Sequence, residues 1–71
     1  MKYLIVVEET DTGFSAYSPD LAGCVATGRT REEVERVMSE AIAFHLDGLR
    51  KEGVQVPRPR SFSTYLDVEA G

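Results

Sequence analysis

One helix-patterned stretch stands among four strand-patterned ones, and that imbalance constrains the fold more than any other feature of the chain. Val34, Val37, Met38, Ala41, Ile42, His45 and Leu49 recur at the three-and-four spacing of a buried helical stripe. Thr30 suits the N-cap, its hydroxyl accepting from the amide of Glu33 while the Glu33 carboxylate reaches back to the amide of Thr30. Glu32, Glu33 and Glu35 lie in the positive first turns, Arg50 and Lys51 in the negative last turn. Gly53 is a natural terminator. The helix predicted over residues 31–52 is about 33 Å long at 1.5 Å per residue.

The remaining segments alternate with a period of two. Residues 2–9 form the first, with Tyr3, Ile5 and Val7 on one face and Leu4, Val6 and Glu8 on the other. A polar, Gly-containing turn at residues 10–13 returns the chain as a hairpin, and Phe14, Ala16 and Ser18 share a face of the second strand. Pro19 ends that strand because it lacks a ladder donor. Residues 20–23 are read as a loop and residues 24–27 as a short third strand, after which Gly28 is expected to adopt a backbone conformation closed to residues with a Cβ. Residues 54–60 carry Pro57 and Pro59 and form an extended connector. The last segment, 62–68, places Phe62, Thr64, Leu66 and Val68 on one side and Ser63, Tyr65 and Asp67 on the other.

The expected fold is α+β with the order β-β-β-α-β. Three hairpin-linked strands and a right-handed helical crossover place strand four beside strand one, giving a four-stranded, mostly antiparallel sheet of order 3-2-1-4. One long helix packs on one face of it. The predicted inner set is Tyr3, Ile5, Val7, Phe14, Ala16, Cys24, Ala26, Phe62, Leu66 and Val68. Leu4, Val6, Tyr17, Val25 and Tyr65 then share the other face, and nothing in the chain remains to cover them. An apolar patch of this kind marks an interaction surface. The helix also outruns a strand of about six residues, roughly 20 Å long, which offers Phe44, Leu46 and Leu49 to a neighbouring subunit.

Seventy-one residues make a single domain, 1–71, near the lower limit for a self-sufficient core. A chain this short buries only about 60% of its unfolded surface, so self-association as a dimer or tetramer is expected. The net charge of −4 and the scatter of the eight basic residues argue against direct DNA or RNA binding, which draws on clustered Lys and Arg. One cysteine excludes an intramolecular disulfide. No apolar run reaches the roughly 18 residues of a membrane span, and Glu8 and Glu9 interrupt any signal-like segment. The expected location is the cytoplasm.

Catalytic constellations are weak. Cys24 and His45 offer a nucleophile and a base, but no third orienting group is evident and both fall within apolar patterns, so core packing explains them. One Cys and one His cannot complete a four-ligand zinc set. Gly13, Gly23 and Gly28 do not form a phosphate loop, and Ser15 and Ser18 lack a nucleophile elbow. Glu8, Asp11, Asp20 and Asp67 are the acids a divalent metal would need, yet the strand layout spreads them over both ends of the sheet. Arg58 and Arg60 fit a solvated connector. Asp20, after Pro19, suits an Asx-type turn as well as contact with a partner. No cofactor is called for.

Four pieces of the sequence, in order, resemble the N-terminal domain of the HicB antitoxins. Tyr17-Ser18-Pro19-Asp20-Leu21-Ala22-Gly23-Cys24 is similar to that family's Tyr-x-Pro-Asp-Leu-x-Gly-Cys signature. Gly28-x-Thr30-x-x-Glu33 resembles the opening of its helix, Ala41-Ile42-x-x-His45-Leu46 its later turns, and Gly53-x-x-x-Pro57-x-Pro59 the approach to its last strand. The resemblance implies a partial RNase H-like fold and a non-enzymatic protein that docks on a HicA-type mRNA-cleaving toxin and blocks its catalytic surface. HicB antitoxins usually continue into a DNA-binding domain. The sequence stops at Gly71, so no C-terminal DNA-binding domain and no autoregulation by DNA binding are expected.

The contact residues expected from this reading are Tyr17, Pro19, Asp20 and Leu21 in the loop, with Leu4, Val6, Val25 and Tyr65 on the uncovered face. Acidic charge facing a basic toxin would mainly speed encounter and set specificity. Two other classes of function remain open on sequence grounds. One is a metal-dependent, RNase H-like nuclease using Glu8, Asp11, Asp20 or Asp67; the other is a small-molecule sensor binding between subunits.

Overall fold

Three hairpin-linked strands precede one helix in a computed structural model that describes residues 1–70: β1 (Val6–Thr10), β2 (Gly13–Ser18), β3 (Leu21–Gly28) and α1 (Arg31–Lys51). The strands form one antiparallel sheet of order β1-β2-β3. The first hairpin turns through Asp11 and Thr12, with Thr10 opposite Gly13. Pairing of Val6 with Tyr17, and of Tyr17 with Val25, lines three outward side chains in a row across the sheet.

The second turn is tighter than the sequence suggested. Ser18 pairs with Leu21, so Pro19 and Asp20 alone make the turn. Of the expected loop at 20–23, only Asp20 stays in the turn; residues 21–23 lie within β3, opposite a register shift between Tyr17 and Ser18. Gly23, at φ 80°, takes up the extra residues of that bulge. Leu21 is drawn inward by this arrangement and is 1% exposed.

The core lies between the inner face of β2 and β3 and one side of α1. Ala16, Leu21, Cys24 and Ala26 come from the sheet, Val34 and Met38 from the helix. Tyr3, Ile5, Val7, Phe14, Val37, Ala41, Ile42 and Leu46 pack around them, half-buried. Small residues under the helix let it approach closely. At Gly28 the approach is closest, because a Cβ there would sit 2.7 Å from the backbone nitrogen of Val34. Gly28 is thus required for space; among non-negative φ values only those of Gly23 and Gly53 occur in the described residues. The sequence expectation of an unusual backbone conformation at Gly28 is corrected accordingly.

Both ends of α1 are fixed locally. The Thr30 hydroxyl accepts from the Glu33 amide at 3.0 Å. The Glu33 carboxylate returns to the amide of Arg29, at 3.0 Å, one residue earlier than in a simple capping box. At the other end Gly53, φ 73°, donates to the Arg50 carbonyl and Val54 donates to that of Leu49. This is a Schellman motif, and it satisfies carbonyls left over by the helix. Exposed pairs Arg31–Glu35, Arg36–Glu40 and Asp47–Lys51 add i,i+4 support, each a few tenths of a kcal/mol.

The four-stranded sheet of order 3-2-1-4 is not formed; the sheet has three strands. Residues 62–68 join no ladder, and Phe62, Tyr65, Leu66 and Val68 are 88%, 99%, 78% and 80% exposed. Phe62, Leu66 and Val68 therefore do not belong to the core in which the alternation placed them. Period-two alternation marks a segment as suited to a sheet without specifying its partner. The Tyr3 hydroxyl donates to the Pro57 carbonyl, and Asp20 accepts from Arg60 and Ser61. Tyr3 and Asp20 stand at the same end of the sheet, as the β1–β2 register requires. The connector is thereby pinned across that end, from the β1 side toward the β2–β3 turn, and beyond it Tyr65 borders a shallow depression beside Ile5 and Val7 without pairing to β1.

Candidate functional site

The site is built around the β2–β3 turn. Asp20 is half-buried there, and its two carboxylate oxygens are fully engaged. Oδ2 accepts from the backbone amides of Arg60 and Ser61, each at 3.0 Å, and Oδ1 accepts from the Ser61 hydroxyl at 2.8 Å. The Ser61 and Arg60 amides, followed by the Ser61 hydroxyl and the Arg60 charge, hold the Asp20 carboxyl below its ordinary value of 3.8. Partial burial works in the opposite direction and loses. The Asx-type turn expected from the sequence is not formed: both oxygens bond residues 60 and 61, so Asp20 ties its turn to a connector forty residues away. Pro19, Pro57, Arg58 and Arg60 border the same cleft.

On the outer face of the sheet Val6, Tyr17 and Val25 form the cross-strand row, and Leu4 precedes β1 two residues before Val6. Tyr17 is 41% exposed and Val25 66%, whereas Leu4 and Val6 are half-buried. The helix packs on β2 and β3 from the opposite side, so this row has no cover among the described residues. The residues expected to meet a partner fall into four places. Tyr17, Val6, Val25 and Leu4 share the outer face. Pro19 and Asp20 form the adjoining turn. Leu21 is in the core and presents no side-chain surface, and Tyr65 lies on the unpaired segment, exposed beside Ile5 and Val7.

Two features escaped the sequence reading. The tether from Asp20 to residues 60 and 61 has no local signature, because its partners are separated by forty residues. An open groove of about 330 Å³ lies between β1 and α1, lined by Ile5, Val7, Met38, Ile42 and Glu35. Its only signal was the incomplete reach of one helix over the sheet. Phe44 is 82% exposed, as the expected overhang of the helix requires, while Leu46 and Leu49 are half-buried.

Among the described residues no three His, Cys, Asp or Glu side chains, Glu8, Asp11, Asp20 and Asp67 included, gather where they could hold a metal. Cys24 and His45 border one open depression beside Val25 and Phe44. Burial pushes the Cys24 thiol above its ordinary value of 9.0, the reverse of what activates a nucleophile.

The match to the model of the HicB-like antitoxins of bacterial toxin–antitoxin systems runs over residues 3–70. The chain belongs to the HicB-like antitoxin family. A chain from a HicA3 and HicB3 toxin–antitoxin complex superposes with a TM-score of 0.71 at 35% identity, over 83% of this chain and 70% of that one. A UPF0150 protein of Thermoplasma acidophilum is 30% identical over 82% of this chain and 86% of its own length. An uncharacterized 14.9 kDa protein of Haemophilus phage HP1 is 30% identical over 94% of this chain, which spans only half of that relative. The HicB-like signature Tyr17-Ser18-Pro19-Asp20-Leu21 coincides with the turn and tether described above. Among the described residues no helix is long and apolar enough to cross a membrane.

Proposed function

We propose that this HicB-like chain is the antitoxin partner of a HicA-type RNA-cleaving toxin. It binds the toxin, occludes the catalytic surface without performing a reaction itself, and self-associates as a dimer or tetramer. It works in the cytoplasm, where its partner meets mRNA. Family membership and the likeness to a chain of a toxin–antitoxin complex support the class of partner.

The observation that carries the reading is the uncovered row Val6–Tyr17–Val25. Apolar side chains aligned on a face without cover gain by meeting another protein, at roughly 25 cal/mol per Å² of apolar surface removed from water. Leu4, Pro19 and Asp20 complete the surface. Leu21 acts through the turn it anchors, and Tyr65 joins from the segment beyond. The net charge of −4 accelerates encounter with a basic toxin.

The test is co-expression with a HicA-type toxin, scored by growth and by calorimetry. Val25→Asp places a charge on an exposed side chain of the row and leaves the core alone. It is expected to weaken the complex at least about tenfold, or ~1.4 kcal/mol, and to leave the thermal melt nearly unchanged. Wild-type affinity in this variant would remove the outer face from the toxin interface.

A further inference from the structure

Residues 62–68 present a strand without a sheet, and β1 presents a sheet edge without a strand. We infer that these two complement each other between chains: residues 62–68 of one copy add to the β1 edge of a second copy, and the exchange is reciprocal. The inference rests on the self-association proposed above and assigns it a location.

The donor segment has strand chemistry throughout. Phe62, Thr64, Leu66 and Val68 alternate with Ser63, Tyr65 and Asp67, and the segment contains neither glycine nor proline. Its large apolar side chains are nearly as exposed as in an unfolded chain, so the isolated subunit keeps them in water at a cost. Its backbone groups enter no ladder. The pin at Asp20 and Ser61 fixes where the segment leaves its own subunit, which limits the entropy lost when it docks elsewhere.

The acceptor is equally incomplete. β1 is an edge strand, hydrogen-bonded on one side only, and an edge of this kind templates the addition of another strand. Beside it the sheet's inner face is thinly covered, because α1 packs on β3 and β2. Ile5, Val7 and Phe14 remain half-buried there. The groove of about 330 Å³ against Met38 and Ile42 follows the β1 edge. A strand laid along β1 would point alternate side chains into that groove and the others toward Leu4 and Val6.

The sizes agree. Two exchanged segments with the surfaces they cover would bury on the order of 2,000 Å² in total, taking about 150–200 Å² for each aromatic side chain, which is within the range of stable specific dimers. Closure by the chain's own segment is the competing arrangement. Tyr65 does border a shallow depression with Ile5, Val7 and Phe14 of its own chain, yet it is fully exposed there and no pairing forms.

The experiment uses the full chain with Tyr65 replaced by the photocrosslinker benzoylphenylalanine. Unlabelled and heavy-isotope-labelled pools are unfolded together, refolded as a mixture and irradiated, and light scattering records the mass in parallel. The expected result is a dimer or larger assembly, with mixed-isotope crosslinks joining residue 65 to peptides from residues 3–10. In a second variant, L66D with V68D, the dissociation constant is expected to rise at least about tenfold while the helical circular dichroism is kept. Crosslinks confined to single-isotope pairs, or an assembly unaffected by the second variant, would overturn the exchange but leave self-association standing. A monomer at high protein concentration would overturn both.

Discussion

Asp20 grips Ser61 with both carboxylate oxygens, one on its amide at 3.0 Å and one on its hydroxyl at 2.8 Å. A residue in a two-residue turn thus fixes the course of a segment that follows the helix. Asp20→Ala is expected to free the connector while sparing the core. In hydrogen exchange, the amides of Arg60 and Ser61 should speed toward unprotected rates, and those of α1 should not change.

Acid should produce the same release. The folded-state pKa of Asp20 is depressed below 3.8, so its tether is fully present above that value and is lost as the pH falls through the lowered one. Amide protection at Arg60 and Ser61, followed by NMR on lowering the pH below about 3.8, reports it directly. In Asp20→Asn the acid-dependent step is expected to vanish.

Glycine substitutions separate space from conformation. Gly28→Ala drives a methyl group to 2.7 Å from the Val34 nitrogen, a backbone atom that cannot step aside alone. A loss of about 1–3 kcal/mol is expected. Gly23→Ala meets open space at φ 80°, so only the left-handed backbone is penalised, by roughly 1–2 kcal/mol. Urea unfolding of both variants gives the comparison.

Ser18 is 4% exposed, and among the described residues its hydroxyl has no hydrogen-bond partner. A buried polar group left unpaired is costly. Ser18→Ala is therefore expected to match or exceed the wild type in urea, by up to about 1 kcal/mol. A loss of that size instead would mean the hydroxyl is engaged.

Cys24 is 5% exposed, with its thiol held above the ordinary range by burial. Maleimide or disulfide reagents should label it slowly under native conditions and at once in denaturant. The native labelling rate then reads the opening of β3 away from α1.

What was legible in the sequence was local. Thr30 with Glu33, and Gly53 after Arg50 and Lys51, fixed α1 to within a residue, because caps act on their nearest neighbours. Alternation in residues 2–9 and 14–18 found the first hairpin for the same reason. Alternation alone does not place residues 62–68, because it records only that a segment suits a sheet; the tether just before them joins Asp20 to a residue 41 positions away. Leu21 was read as surface because Asp-Leu-Ala-Gly looks like a loop; the bulge at Gly23 that turns it inward depends on the register between two strands. Of the candidate site, the outer row was legible from the parity of Leu4, Val6, Tyr17 and Val25, and the covering helix faces away from it.

Binding in this protein has a mechanical side. Because one carboxylate joins the β2–β3 turn to the connector, a molecule that seizes Pro19 also takes hold of residues 60 and 61. Turn and tail behave as one handle, so pulling on either end redirects the other.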